Sequence, residues 1–251
     1  MQKIYGILIA AACLLGACQE KETSVFRTGD GGLDLTGTTA DMETEIPVIM
    51  TKGIRFDMDA TTFPITIYNE SGNAYKTFQS YAAMKSEGTP LVLPVGPYTI
   101  KASSFTPAAR VSESPYFEDV QAFTIEEKTI THVSLCCRFK SLGCELVIAE
   151  GLADLLKKEP ANYAYSVSVS NEAASWTFDS EHTKPVYFLD ACEELLVKVN
   201  IKLAGSDYPE RTYRFTGTGG TAPALGEYYQ ITLDAGKDKM KLQSQQLEKR
   251  D

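Results

Sequence analysis

A chain of 251 residues with 43% hydrophobic content has the material for one large or two small β domains, and two is the preferred reading. Its 33 acidic against 24 basic side chains leave a net charge of −9, a poor basis for holding nucleic acid through phosphates. The same charge is repelled by anionic headgroups, so a hold on a membrane must come from lipid and not from a basic patch.

The first element is a removed one. Lys3 precedes an apolar run from Ile4 to Leu15 that is too short to span a bilayer. It ends in Leu15-Gly16-Ala17-Cys18, small residues before a thiol. Residues 1–17 therefore read as a bacterial lipoprotein signal and Cys18 as the lipidated residue, whose acyl chains hold a protein on a membrane at ~0.8 kcal/mol per buried methylene. Residues 18–32 follow as a tether that opens on Gln19-Glu20-Lys21-Glu22 and shows no apolar periodicity. An acidic cluster directly behind a lipidated cysteine resembles the export signal that sends Bacteroidetes lipoproteins to the outer leaflet of the outer membrane.

From Leu33 the pattern alternates with period two, which argues for strands. Phe63, Ile65 and Ile67 share a face, and a turn at Asn69–Asn73 leads into Tyr75, Thr77 and Phe78 as a hairpin. Leu91, Leu93 and Val95 precede Gly96-Pro97, after which Tyr98, Ile100 and Ala102 return. Phe123 and Ile125 lead through Glu126-Glu127-Lys128 to Val133, Leu135, Cys137 and Phe139, and a first domain, 33–137, closes there.

A second domain, 138–235, repeats the style. Cys144, Leu146 and Ile148 form a strand, and Gly151–Glu159 reads as a short helix with Leu152, Leu155 and Leu156 inward and Pro160 as its stop. Tyr163, Tyr165, Val167 and Val169 alternate with small polar residues, as a half-buried strand does. Short strands follow at Trp176 with Phe178, at Leu195–Leu203 and at Tyr213 with Phe215. Gly217–Gly220 is a loop, and Tyr229, Ile231 and Leu233 close the fold. The charged tail, 236–251, is expected to be disordered or a frayed helix. The economical architecture is all-β: two consecutive sandwiches of transthyretin-like or immunoglobulin-like Greek-key type, with one short helix in the second.

Of six cysteines, Cys13 leaves with the signal and Cys18 is consumed by lipid. Cys136 and Cys137 are neighbours that point to opposite faces of a strand, so they do not pair with each other. A Cys144–Cys192 disulfide within the second half is the expected bridge, with buried free thiols acting as small apolar groups an equal alternative.

Catalytic signals are sparse. His132 and His182 lie in different domains, and no G-x-S-x-G elbow supports a triad. His132 reads as a solvent-facing strand residue and His182 as part of a solvated turn, Asp179–His182. Asp57 and Asp59 lack the glycine and terminal glutamate of a calcium loop, and no metal or other cofactor is expected. The candidate ligand-binding residues are aromatic: Tyr116 and Phe117, set by Ser114-Pro115 in a long connection, and the lone Trp176.

The run Leu93–Ala102, the element Ser114-Pro115-Tyr116-Phe117 and the strand Thr129–Cys136 resemble a family of Bacteroidetes lipoproteins catalogued as domain of unknown function 4493. The resemblance implies a β-rich surface or periplasmic lipoprotein and supplies no catalytic residues. More distantly, the lipobox, the tandem sandwiches and the strand Gly226–Leu233 are similar to fimbrillin-type pilus proteins. In that group cleavage after an arginine allows strand addition between neighbours, and Arg27 and Arg55 are the conceivable cut points here. The expected function is therefore binding and not catalysis: a lipid-anchored, surface-exposed outer-membrane protein for adhesion or a pilus-like assembly, with a protein partner. Glycan capture for an uptake system is the alternative.

Overall fold

The computed structural model describes residues 26–40, 56, 58–216, 222–236 and 239–245. The residues read as a signal, Cys18, the first part of the expected tether, Arg55, Asp57, the expected Gly217–Gly220 loop and the end of the tail lie outside the described residues.

The first sandwich is built from β1 (Asp30–Ala40), β2 (Ile65–Asn69), β3 (Ala74–Phe78), β4 (Leu91–Pro94), β5 (Gly96–Ser103), β7 (Phe117–Ile125) and β8 (Ile130–Phe139). These strands pair in the order β3-β2-β5-β7-β8-β1-β4. At β7 and β8 the regular pairing is confined to Phe117↔Phe139 and Glu118↔Arg138, so the two edges diverge beyond that corner. There Asp119 substitutes for the ladder, its carboxylate accepting from the Cys136 amide at 2.8 Å. The inward faces of both arms, with Leu33, Leu35, Leu93 and Leu135 on one and Ile65, Ile67, Ile100 and Ile125 on the other, form one core. Burying each such side chain contributes about 1.5–3 kcal/mol.

The second sandwich pairs two five-stranded sheets. One contains β10 (Ala164–Ser170), β11 (Ser175–Phe178), β13 (Leu195–Leu203), β14 (Ser206–Asp207) and β15 (Arg211–Phe215). The other runs β17 (Lys239–Gln245), β16 (Tyr228–Gly236), β9 (Leu142–Ile148), β12 (Val186–Phe188) and β6 (Val111–Ser112). Alternation places Val167, Val169, Val197, Val199 and Ile201 against Leu142, Cys144, Val186, Phe188 and Leu233 in the second core. The helix α2 (Glu150–Lys158) caps this sandwich with Leu152 buried, one residue earlier at each end than its apolar spacing suggests.

Four features depart from the sequence reading. The tether ends earlier than expected, because β1 begins at Asp30 and Gly31 and Gly32 are already buried in it. A Cβ on Gly31 would stand 2.2 Å from the Glu126 carbonyl oxygen, so this glycine allows a close strand approach. The first half also carries a helix, α1 (Tyr81–Ser86), capped by Ser80 Oγ accepting from the Ala83 amide at 3.1 Å and held by buried Met84. The tail is a strand over its described part, β17, antiparallel to β16 from Gln230↔Gln245 to Gly236↔Lys239. Finally, the expected Cys144–Cys192 bridge is not formed: both cysteines are free thiols packed as small apolar groups in the second core. Burial, and then Glu172, Glu194 and Glu227, push the Cys192 thiol up to about 11. Cys136 is exposed and Cys137 buried, so the vicinal pair does divide between faces.

The two halves are stitched together around Phe139–Gly143. Ser141 is fully buried; its hydroxyl accepts from the Tyr116 amide at 2.8 Å and its carbonyl accepts from the Gly226 amide at 2.8 Å. Phe139 packs on Phe117 at 5.7 Å and on Tyr187 at 6.0 Å, joining the first core to a strand of the second half. β6 leaves the long β5–β7 connection of the first half and pairs with β12 of the second, Val111↔Phe188 and Ser112↔Tyr187.

Candidate ligand groove at the far end

Strand direction fixes where the chain enters and where the free loops stand. The Val95 amide donates to the Gly29 carbonyl at 2.8 Å and the Lys128 amide to the Asp30 carbonyl at 2.9 Å. Chain entry and the β4–β5 and β7–β8 turns thus share one end of the first sandwich. Its other end, at Phe117↔Phe139, adjoins the junction. From there β9 runs outward, paired with β12 at Leu142↔Phe188 and Cys144↔Val186, and reaches α2 only after Ile148. The β10–β13 ladder finishes at Ala164↔Lys202 at this same outer end. α2 and the segments 159–163 and 179–184 are therefore the part of the described molecule opposite the chain entry.

A groove of about 390 Å³ opens there, lined by Ile148, Ala153, Leu156, Lys157, Pro160, Tyr163, Ala164, Tyr165, Ser180 and Thr183. Its apolar floor continues the second core, since Ile148, Leu156 and Tyr165 pack against it. One wall is set where α2 ends: Glu159 and Tyr163 amides donate to Leu155 and Glu159 carbonyls at 2.9 and 3.1 Å. Lys202 Nζ donates to the Ala161 carbonyl at 3.1 Å and pins the following turn. The opposite wall is the Asp179 turn. Asp179 Oδ1 accepts from the Glu181 and His182 amides at 2.8 Å each and lies 3.0 Å from His182 Nδ1. The His182 and Glu181 amides hold this carboxyl below its usual range, against a small opposing effect of burial. Tyr165 Oη donates to the Asp179 carbonyl at 2.8 Å, tying the two walls together.

The aromatic residues singled out in the sequence are placed elsewhere. Phe117 is 0% exposed and packs on Phe56 at 5.4 Å, because it opens β7 with its side chain inward and is not in the preceding connection. Tyr116 is 8% exposed; its hydroxyl donates to Glu118, which is also paired with Lys101. Burial and the Glu118 hydrogen bond raise the Tyr116 phenol above its usual value. Both rings are thus covered and bridge the junction. Trp176 is half-buried opposite Val169, edge-on to the His182 ring at 5.8 Å, behind the Asp179 turn and outside the groove lining. His132 is exposed as expected, with Nδ1 at 3.3 Å from Asp34 Oδ2.

A second groove of about 540 Å³ lies near the chain entry, between the β2–β3 turn and the outer side of β5 and β7, with Tyr68, Asn69, Glu70, Thr99 and Thr124 in its lining. It is the larger of the two, and it lies at the end where the described chain enters.

The family pattern of DUF4493, a domain of unknown function, matches residues 34–246. This chain belongs to that family. No curated protein matches it. Among solved structures, it is similar to a candidate cell adhesion protein from Bacteroides uniformis at 15% identity and TM-score 0.43, covering 86% of this chain and 97% of that one. A candidate polysaccharide-binding protein (DUF1812) from Bacteroides thetaiotaomicron gives 9% identity and TM-score 0.46 over 82% and 92% of the two chains. A fimbrial assembly protein from Parabacteroides distasonis gives 9% and 0.43 over 87% and 95%.

Tyr163 and Tyr165 have a visible signal in the sequence, the alternation that marks a half-buried strand, but that signal describes a face and not an opening. The groove exists because α2 ends at Lys158, ahead of Pro160, and the Asp179 turn, distant in sequence, folds back beside Tyr165.

Proposed function

We propose that the protein is a lipid-anchored adhesion or surface-interaction protein of the outer membrane, binding its target through the far-end groove. The observation that carries this reading is the polarity of the molecule: the chain enters at one end and the groove opens at the other. An anchor at Cys18 then holds the entry end toward the membrane and presents Tyr163, Lys157 and the Asp179 turn outward. A stitched junction suits this role, since a groove on a rigid body meets its target with little ordering cost.

Cells producing the full chain, its Cys18→Ala variant and its Tyr163→Ala variant test the reading. Cys18→Ala is expected to move the protein from the membrane to the soluble fraction. Tyr163→Ala is expected to leave it protease-accessible on intact cells while lowering adhesion about tenfold, the loss of ~1.4 kcal/mol. Adhesion unchanged by Tyr163→Ala, or a protein protected from external protease, would overturn it.

A further inference from the structure

We propose that the far-end groove takes a carboxylated sugar residue, with the ring against Tyr163 and the carboxylate paired to Lys157. The inference rests on the adhesion reading and names its ligand class.

Size is the first observation. A groove of about 390 Å³ falls at the small end of the ~300–1,000 Å³ usual for ligand sites, enough for one or two sugar rings. Chemistry is the second. Tyr163, Tyr165 and Pro160 give flat apolar surface for the C–H face of a pyranose. Ser180 and Thr183 place hydroxyl groups at the rim, where ring hydroxyls would lie. Such a mixture of ring faces and hydroxyls suits a sugar better than a purely apolar side chain, which would leave the rim hydroxyls without partners.

Charge decides the class. Lys157 is the single charged side chain in the lining, although the chain carries a net charge of −9. Asp179, the carboxylate that organises one wall, is committed to two amides and the His182 ring. Lys157 is exposed on the last turn of α2, and a lone cation in a lining without carboxylates complements one anionic group on the ligand. A sugar acid brings ring and carboxylate in one rigid unit, whether it is a hexuronate or a nine-carbon acid.

The test is calorimetric titration of the soluble Cys18→Ala chain with five oligosaccharides: one ending in a hexuronate, one ending in a sialic acid, the methyl ester of each acid, and a neutral chain of the same length. Binding of one or both acids is expected, weakened about tenfold by esterification and by Lys157→Ala, and largely restored in Lys157→Arg. Which acid binds distinguishes the two sources. Tyr163→Ala is expected to weaken the acid further, while a matched unfolding curve shows that the fold is intact. Equal binding of acid, ester and neutral chain, or acid binding indifferent to Lys157→Ala, would overturn the proposal. So would absence of binding by every sugar; if Tyr163→Ala still lowered adhesion about tenfold in that case, the ligand class alone would fall and the adhesion reading would stand.

Discussion

The two halves share a plan and use its outer end differently. In each, the first strand lies parallel to one from the end of that half: β1 beside β8 from Gly32↔Ile130 to Ala40↔Cys137, and β9 beside β16 from Tyr228↔Gly143 to Leu233↔Ile148. In each, that first strand has an antiparallel neighbour on its other side, β4 or β12. The first half closes its outer end with backbone bonds between the entering chain and two tight turns. The second half, whose first strand β9 starts at the junction and runs outward, carries α2 and the Asp179 turn at its outer end, and the space between them is the groove. One frame thus presents a fastened end or an open one, according to whether its first strand starts or finishes there.

Removing the ring that couples the halves should have the largest effect. Phe139→Ala strips the contacts to Phe56, Phe117 and Tyr187 and is expected to cost about 3–5 kcal/mol. In chemical denaturation followed by near-ultraviolet circular dichroism and by Trp176 fluorescence, both halves should shift together. If only the signal from the first half moved, the halves would be independent and the stitched junction would be wrong. Ser141→Ala is the gentler cut at the same place. It leaves the buried Tyr116 amide without its acceptor at an expected cost of about 1–3 kcal/mol, read by the same denaturation curves.

The smallest effect separates the two outer ends. The Asp179 carboxyl lies below its ordinary value of 3.8, so its contribution is present above that pH and is lost as the pH falls through the lower value set by the fold. Acidification below about pH 4 should therefore loosen the 179–184 turn, seen as faster amide exchange at Glu181 and His182, before global unfolding. Amides at Lys128 and Val95 of the fastened end, which bond to backbone carbonyls, should not respond first.

Much of the architecture was legible because alternation reports directly on which face of a strand is dry. Ile65 with Ile67, Val167 with Val169, and Val197 with Val199 are buried as their spacing requires. α2 was legible from Leu152, Leu155, Leu156 and the stop at Pro160. What escaped is non-local or too short for periodicity. α1 has one buried residue, Met84, and β6 is two residues whose partner lies far along the chain. Gly31 and Gly32 have the composition of a linker, and only the approach of Glu126 and Pro90 shows that they belong to a packed strand. Tyr116 and Phe117 were candidate ligand residues because a proline preceded them, yet the register with Phe139 turns them into the joint. The groove was illegible for the same reason, since its walls meet through the Tyr165–Asp179 bond and not through any motif.

The parallel pairing of β1 and β8 has a mechanical consequence. Tension applied between the entering chain and the far end of the molecule pulls β1 from its leading end and β8 from its trailing end, in opposite directions along one ladder. The hydrogen bonds from Gly32↔Ile130 to Ala40↔Cys137 are then loaded together in shear and not peeled one at a time. Resistance to end-to-end extension is thereby written into strand direction, independent of how tightly the proposed site would hold a target.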